Sequence, residues 1–260
     1  IQKMTNPKTA LQVNQRIKFP NIVAMYRAFH GLLKEGFEKK RKGRRSKDMS
    51  DFNRFMSANL QSAPVFLTRS ESAAGYCIAA PYQITEGTLV PISTQGIETD
   101  TYSNVALGDL EITDTTTVAD FSEAVVANNS LFEYGDAISY FSVLQNVEVD
   151  TGVPYVTVNQ YKVTLDAADQ SSLRIVAPSF GFSVKNGFLA HGENIGQGAF
   201  AWVQTRRGAD GLLVSSQRLI VANALFEEYN SNVAKSAARR AYGAVSVALD
   251  PGTSDDISAA

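Results

Sequence analysis

The spacing of apolar residues changes at Pro64 from the period of a helix to the period of a strand. Before Pro64, apolar residues recur at intervals of three and four, as at Ile22, Met25 and Phe29. This spacing places them on one face of a helix. After Pro64, apolar residues alternate with polar ones, as in a strand with one buried face. The change predicts helices before Pro64 and a β-rich body after it.

Three helices are predicted in the N-terminal region. The first covers residues 8–18 and is broken or kinked at Pro20, because proline lacks a backbone N–H and clashes with the preceding turn. The second begins near Asn21. The third covers residues 50–62 with Ser50 as its N-cap. The aromatic side chains expected to dock these helices on the β body are Tyr26, Phe52 and Phe55.

Ten segments after Pro64 have the composition of strands. They are residues 65–68, 76–80, 88–92, 104–112, 137–149, 155–165, 174–176, 180–185, 198–206 and 211–221. Asn186-Gly187 predicts a tight hairpin, and residues 208–211 join two alternating runs. Many short strands at close spacing predict a sandwich or barrel-like fold of antiparallel sheets.

Helical composition returns at two places in the β-rich part of the chain. Residues 118–129 predict one helix, in which Asp120 and Glu123 have the spacing of a capping box. Residues 224–243 predict a C-terminal helix, and residues 250–256 have the composition of an acidic tail. The predicted organisation is a basic helical arm (1–62), a β-rich body (63–223), and a C-terminal helix with an acidic tail (224–260).

Charge is distributed unevenly along the chain, although the formal net charge is only −2. Residues 1–60 contain fourteen Lys or Arg against four Asp or Glu, a net charge of +10. The remaining 200 residues contain ten against twenty-two, a net charge of −12. Opposite charge on two parts of one chain is typical of head-to-tail contact between copies, or of a basic arm that reaches an acidic partner.

No motif has the spacing of a known catalytic or metal site. Cys77 is the single cysteine, which excludes an intrachain disulfide, and we expect it to be a small buried hydrophobe. His30 and His191 lie too far apart for a paired-ligand motif. The glycines within residues 192–198 match no phosphate-binding loop and predict a wide turn. We therefore predict no catalytic residue, no metal and no cofactor.

Residues 39–47 form a strongly basic segment without an apolar face, which predicts a surface loop. Its basic side chains are Lys39, Lys40, Arg41, Lys42, Arg44, Arg45 and Lys47. They could neutralise nucleic-acid phosphates through counterion release, or bind the acidic surface of a neighbouring copy. No aromatic residue is interleaved with them, which disfavours base stacking. We favour a protein partner over nucleic acid.

Several short motifs resemble an uncharacterised protein family of Bacteroidota genomes and their phages. They are residues 6–12 followed by Arg16-x-Lys18-Phe19, Met49-Ser50-x-Phe52-Asn53, residues 80–89, residues 213–219 and Ala241-Tyr242-Gly243. The family has no established activity, so the resemblance implies no catalytic residue. It implies a context instead, a Bacteroidota host or a crAss-like phage that infects one. The basic insertion at residues 39–47 departs from the family's commonest pattern.

These features favour a non-enzymatic structural protein of a tailed-phage virion, such as a component of the tail or connector ring. Expected partners are copies of the chain and neighbouring virion proteins, assembled in the host cytoplasm, with no membrane or small-molecule substrate. The alternative is a sequence-independent nucleic-acid-binding protein that uses the basic segment. A glycan-binding module with Trp202 as its platform is less favoured, because Trp202 lies in an alternating run and is expected in the core. An enzyme of unrecognised type is equally disfavoured.

If the basic segment binds a phosphate backbone, affinity for duplex DNA of any sequence should fall steeply between about 50 and 200 mM salt, because each neutralised phosphate releases a counterion. Fluorescence anisotropy with two unrelated duplexes measures this slope. A response that is flat in salt would rule out phosphate binding by the segment.

Overall fold

The computed structural model of the protein describes residues 9–32, 36–37, 50–61, 65–96, 101–150, 152–192, 198–209, 211–222 and 224–244. The helices are α1 (Ala10–Ala28), α2 (Asp51–Asn59), α3 (Arg69–Ala74), α4 (Val118–Asn128), α5 (Leu173–Val176), α6 (Ala224–Tyr229) and α7 (Asn232–Ala241). The strands are β1 (Gln83–Thr85), β2 (Thr94–Gln95), β3 (Tyr102–Ala106), β4 (Ala137–Val147), β5 (Pro154–Thr164), β6 (Ser183–Lys185), β7 (Phe188–Ala190), β8 (Gly198–Gly208), β9 (Gly211–Val214), β10 (Gln217–Arg218) and β11 (Ile220–Ala222).

The strands form antiparallel sheets, and the three longest strands, β4, β5 and β8, belong to one of them, the central sheet. The central sheet has the order β11-β8-β4-β5, and β9 pairs with the C-terminal end of β8. β4 and β5 pair over eleven residues without a register shift. A second sheet has the order β2-β3-β7-β6, and β1 pairs with β10. The prediction of a mainly β chain with antiparallel sheets, a helical N-terminal region and a C-terminal helix is confirmed.

In the central sheet, β4 and β8 are buried on both faces, whereas most of β5 is exposed. Odd-numbered residues of β4 and β8 enter a first core together with side chains of α1 and α2; they include Phe141, Val143, Ala201 and Val203. Even-numbered residues enter a second core together with α4 and the second sheet; they include Ile138, Tyr140, Phe200 and Trp202. Trp202 is therefore a core residue, as expected. The sheet is the middle layer of three.

α1 continues through Pro20, so the predicted break is wrong. The N-terminal half of α1 buries Val13 and Ile17 in a third core with Phe66 and Ala238. Its C-terminal half buries apolar side chains in the first core; these are Ile22, Met25 and Phe29. An interior proline costs about 3 kcal/mol, whereas each buried apolar side chain contributes about 1.5–3 kcal/mol. Packing on both sides of Pro20 therefore outweighs its cost.

α2 follows the prediction closely. The Ser50 hydroxyl accepts a hydrogen bond from the Asn53 N–H, as an N-cap should. Tyr26 of α1 packs edge-on against Phe52, at 5.0 Å between ring centroids. Phe55 in turn lies 5.9 Å from the ring of Tyr82. The expected aromatic residues thus attach both helices to the first core.

Four predicted strands are wrong. Residues 65–68 and 76–80 are buried but irregular, residues 88–92 form only an isolated bridge at Leu89, and residues 174–176 belong to the short helix α5. Short apolar runs do not distinguish a strand from other buried chain. Four elements were missed, β1, β2, β7 and α3. The cap of α3 is the capping box of Thr68 and Glu71, a signal that the sequence does contain.

Turns and caps explain the remaining boundaries. Asn186 and Gly187 both have positive φ, 54° and 78°, and join β6 to β7 in the expected tight hairpin. β8 and β9 form the second expected hairpin. The capping box of α4 uses Thr117 and Asp120 rather than Asp120 and Glu123, which corrects the prediction. The predicted C-terminal helix is divided into α6 and α7, with Ser231 as the N-cap of α7.

Side-chain amides hold the irregular buried segments in place. Each of four amides bonds both the N–H and the C=O of one residue in a distant segment, so we call them amide clamps. The pairs are Asn21 with Ile78, Asn59 with Gln83, Asn129 with Ala106 and Gln217 with Ile92. Because buried backbone groups must be hydrogen-bonded, the clamps replace the bonds of a neighbouring strand.

Asn59→Ala should lower the free energy of unfolding by about 2–4 kcal/mol, because it leaves both backbone groups of Gln83 without their present partner. Urea unfolding followed by circular dichroism measures the change. Asn53→Ala is the matched control, since Asn53 is exposed on the same helix. Equal stability of the two variants would contradict a structural role for the clamp.

Candidate functional site

The seven basic residues proposed as the contact site lie outside the described residues. They are Lys39, Lys40, Arg41, Lys42, Arg44, Arg45 and Lys47. The structure does describe the chain before them. Phe37 is buried in the first core and bridges in parallel to Glu86. The acidic tail and most of the wide turn at residues 192–198 also lie outside the described residues.

The described part of the chain contains a second concentration of basic residues; the sequence indicated those of α1 but not those that α7 adds. α7 packs against α1. Neither helix contains an acidic residue, and together they carry six basic ones: Arg16, Lys18, Arg27, Lys235, Arg239 and Arg240. We call this pair of helices the basic helical surface. Arg239 is fixed there, since its Nε donates to Asn14 Oδ1 at 2.7 Å.

A groove lies along the basic helical surface. It has a volume of about 470 Å³, and its lining residues are Gln12, Gln15, Arg16, Phe19, Pro20 and Tyr242. Phe19 is half exposed within it, and the nearby Leu11 is 78% exposed. Amide and guanidinium donors beside aromatic rings suit either an extended polypeptide or a phosphate-bearing chain.

The opposite side of the central sheet is acidic. Between Arg69 and Lys162 the sequence contains thirteen Asp or Glu and no Lys or Arg. Within this stretch, the segment around α4 exposes five carboxylates; they are Asp109, Glu111, Asp114, Asp120 and Glu123. α4 packs on the second core, whereas α1 packs on the first and third. The central sheet therefore separates the basic residues of α1 and α7 from the exposed carboxylates around α4.

A smaller cavity lies where α1 ends. Its volume is about 170 Å³, and its lining includes Gly31, Gly36, Ser139, Gln160 and Lys162. Gln160 Nε2 donates to Ser139 Oγ at 3.0 Å across its floor. The cavity is smaller than the roughly 300–1,000 Å³ typical of small-molecule sites.

His191 lies in a buried aromatic cluster. Its ring packs 4.0 Å from the Phe200 ring and bonds through Nδ1 to the Phe180 carbonyl and the Tyr140 hydroxyl. A carbonyl only accepts, so Nδ1 carries the hydrogen and Nε2 holds the lone pair. Nε2 is buried without a hydrogen-bond partner among the described residues. Burial lowers the pKa of His191 to about 4, so the ring is neutral at pH 7.

Among the described residues, Asp136 is the only buried Asp or Glu. Its carboxylate accepts bonds from Arg206 Nε at 2.6 Å, from Gln204 Nε2 at 2.8 Å and from the Glu133 N–H at 3.1 Å. These hydrogen bonds attach the loop that precedes β4 to strand β8. A carboxylate engaged in this way has a structural role, because its oxygens are already occupied.

The remaining polar and apolar features of the described residues concern metal ligands, the single cysteine and membrane crossing. They contain no group of three or more His, Cys, Asp or Glu that could hold a metal ion. Cys77 is buried, as expected, and burial raises the pKa of its thiol above the usual range. None of the described helices combines the length and apolar character needed to cross a lipid bilayer.

Comparison with protein families, with curated proteins and with solved structures finds no match.

Stability should fall as the pH decreases from about 6.5 to about 4, because the unfolded chain binds a proton at His191 while the folded chain does not. At 1.36 kcal/mol per pKa unit, this residue accounts for about 3 kcal/mol. Urea unfolding of wild type and His191→Phe across this pH range isolates the effect. A variant that loses stability as steeply as the wild type would contradict a neutral buried imidazole.

Proposed function

We propose that the chain is a non-enzymatic structural component of a tailed-bacteriophage virion, in the tail or connector ring, whose copies associate head to tail. The observation that carries the proposal is the separation of charge across the central sheet. The basic helical surface lies on one side, and the exposed carboxylates around α4 lie on the other. Complementary surfaces on opposite sides of one subunit produce rings when the rotation between copies closes.

The rigidity of the described core supports the same role. β4 and β8 of the central sheet are covered on both faces, so neighbouring charges are held at fixed positions relative to one another. Complementary potentials of this kind guide association and fix the register between partners. The phage context rests on the resemblance of the short motifs, and the partners would be copies of the chain and adjacent virion proteins.

A second function, sequence-independent binding of nucleic acid, is favoured by the basic helical surface. Arg16 and Phe19 line its groove, and Arg27 and Arg240 are exposed on the two helices. With the basic segment at residues 39–47, these groups could follow a phosphate backbone. Binding of this kind would need no copy-to-copy contact.

Charge reversal on either side should weaken assembly by about tenfold, because two reversed pairs at the rim cost together on the order of 1.4 kcal/mol. The base-reversed protein is Arg27→Glu/Arg240→Glu, and the acid-reversed protein is Asp109→Lys/Glu123→Lys. All four side chains are exposed. An equimolar mixture of the two proteins should assemble again, because every head-to-tail contact then joins opposite charges.

Mass photometry and negative-stain imaging measure the assemblies at low and moderate salt, with and without short duplex DNA. Closed rings or a mass ladder unaffected by DNA would support the structural role. A wild-type chain that stays monomeric, binds DNA and releases it as salt rises would overturn that role in favour of nucleic-acid binding. Failure of the mixed variants to assemble would reject contact between the two charged sides.

A further inference from the structure

The outer edge of β5 carries backbone groups that no described strand pairs with. At both ends of the β4–β5 register, odd-numbered residues of β5 bond to β4: Leu165 N–H donates to Asp136 O at 2.7 Å, and Val153 O accepts from Glu148 N–H at 3.0 Å. Bonding alternates along an antiparallel pair, so even-numbered residues direct their N–H and C=O outward. These residues are Val156, Val158, Gln160, Lys162 and Thr164.

Among the described residues, no strand pairs with this outer edge. The Cys77 N–H donates to Pro154 O at 3.2 Å and closes the edge at its first residue only. From Val156 to Thr164 the described chain provides no backbone partner. The open part of the edge is therefore nine residues long.

This edge has few of the features that usually prevent strands from pairing with other chains. Such features are charged side chains, above all Lys, inward-pointing charges, prolines, bulges and short length. β5 has eleven residues in continuous register, one charged residue, Lys162, and a proline only at its first position. Its sequence is rich in Val, Thr and Tyr, which favour strands. An edge of this kind is suited to accept another strand.

Exposed apolar side chains flank both ends of the edge. At the hairpin before β5 lie Val147, Val149 and Tyr155, of which Val149 is 97% exposed. At the other end lies α5, which packs against β5 and exposes Ile175 and Val176. These five residues are nearly half of the eleven exposed large hydrophobic residues in the described chain. Two apolar patches at opposite ends of one strand are self-complementary under a twofold axis.

We propose that β5 pairs antiparallel with β5 of a second copy, which joins two central sheets across a twofold axis. The antiparallel arrangement brings the apolar residues at the β4–β5 hairpin of each copy towards the apolar residues of α5 in the other copy. A register centred on Gln160 places Lys162 opposite Val158 of the second copy, so the two lysines do not face each other. The five outward residues of each strand then make roughly ten hydrogen bonds, about the number in a typical protein interface.

This contact rests on the proposed assembly role and adds a second surface to it. The head-to-tail contact uses the two charged sides, whereas the β5 contact uses the edge of the sheet. A head-to-tail ring combined with a twofold contact closes as two rings placed face to face. The stoichiometry of the assembly is then even.

Gln160→Pro should halve the mass of the assembly, because proline removes an outward N–H and hinders strand pairing. It leaves the backbone hydrogen bonds to β4 in place and removes only the side-chain bond from Gln160 to Ser139. Ile175→Asp should do the same, because it places a charge in the apolar flank of an unaltered strand. Val90→Asp is the control, since Val90 is also an exposed apolar residue, 49% exposed, and lies outside β5, α5 and both charged sides. Mass photometry measures all three, and circular dichroism confirms that each variant is folded.

Cysteine cross-linking tests the register directly. With Gln160 at the twofold axis, its two Cα atoms lie about 5.5 Å apart, within disulfide range. Thr164 is four residues from the axis, so its two copies lie about 27 Å apart. Oxidation should therefore produce disulfide-linked dimers from Gln160→Cys and none from Thr164→Cys. The native Cys77 is buried and provides no competing thiol.

The outcomes separate this contact from the proposed function. Assemblies of unchanged mass in Gln160→Pro and Ile175→Asp, with no cross-link at Gln160, would overturn the β5 contact and leave head-to-tail assembly standing. A wild-type chain that is monomeric at every concentration would overturn both. Halved masses in both variants, with an unchanged mass in Val90→Asp, are the expected result.

Discussion

The structure depends on a sheet whose strands β4 and β8 are buried on both faces and whose surroundings are largely irregular. β4 and β8 place apolar side chains into two cores, so the segments that cover them cannot rely on water for hydrogen bonds. The amide clamps solve this problem. Asn21 attaches α1 to the irregular chain at Ile78, Asn59 attaches α2 to β1 at Gln83, and both bonds so fix the helical layer against the sheet.

The sequence predicted the parts of the fold that are set by local pattern. β4, β5 and β8 are long, and the hairpin at Asn186-Gly187 has a specific turn chemistry, so these were placed within a few residues. Residues 76–80 were misassigned because an apolar run has the same composition in a strand and in a buried coil. The difference lies in the partner of Ile78, which is the side chain of Asn21, 57 positions away in the sequence.

Much less of the candidate site could be predicted. The charge contrast between the N-terminal region and the rest was visible, but the basic residues of α7 were counted with the acidic part of the chain. Only the fold brings Arg239 beside Asn14 and so extends the basic side. The open edge of β5 could not be predicted from the sequence for the same reason. Strand order decides which strand is terminal, and alternation within a single strand carries no information about its neighbours.

A sheet whose strands β4 and β8 are buried on both faces restricts how copies of this chain can meet. Its faces already contact the two cores, so only its edges and the layers outside the cores remain for association. The edge opposite β5 is divided between the short strands β9 and β11. Leu89 donates to Val214 O at the end of β9, which further limits pairing on that side. Through the sheet, β5 can therefore pair well only with another long edge, and in a single-component assembly that edge is β5 itself.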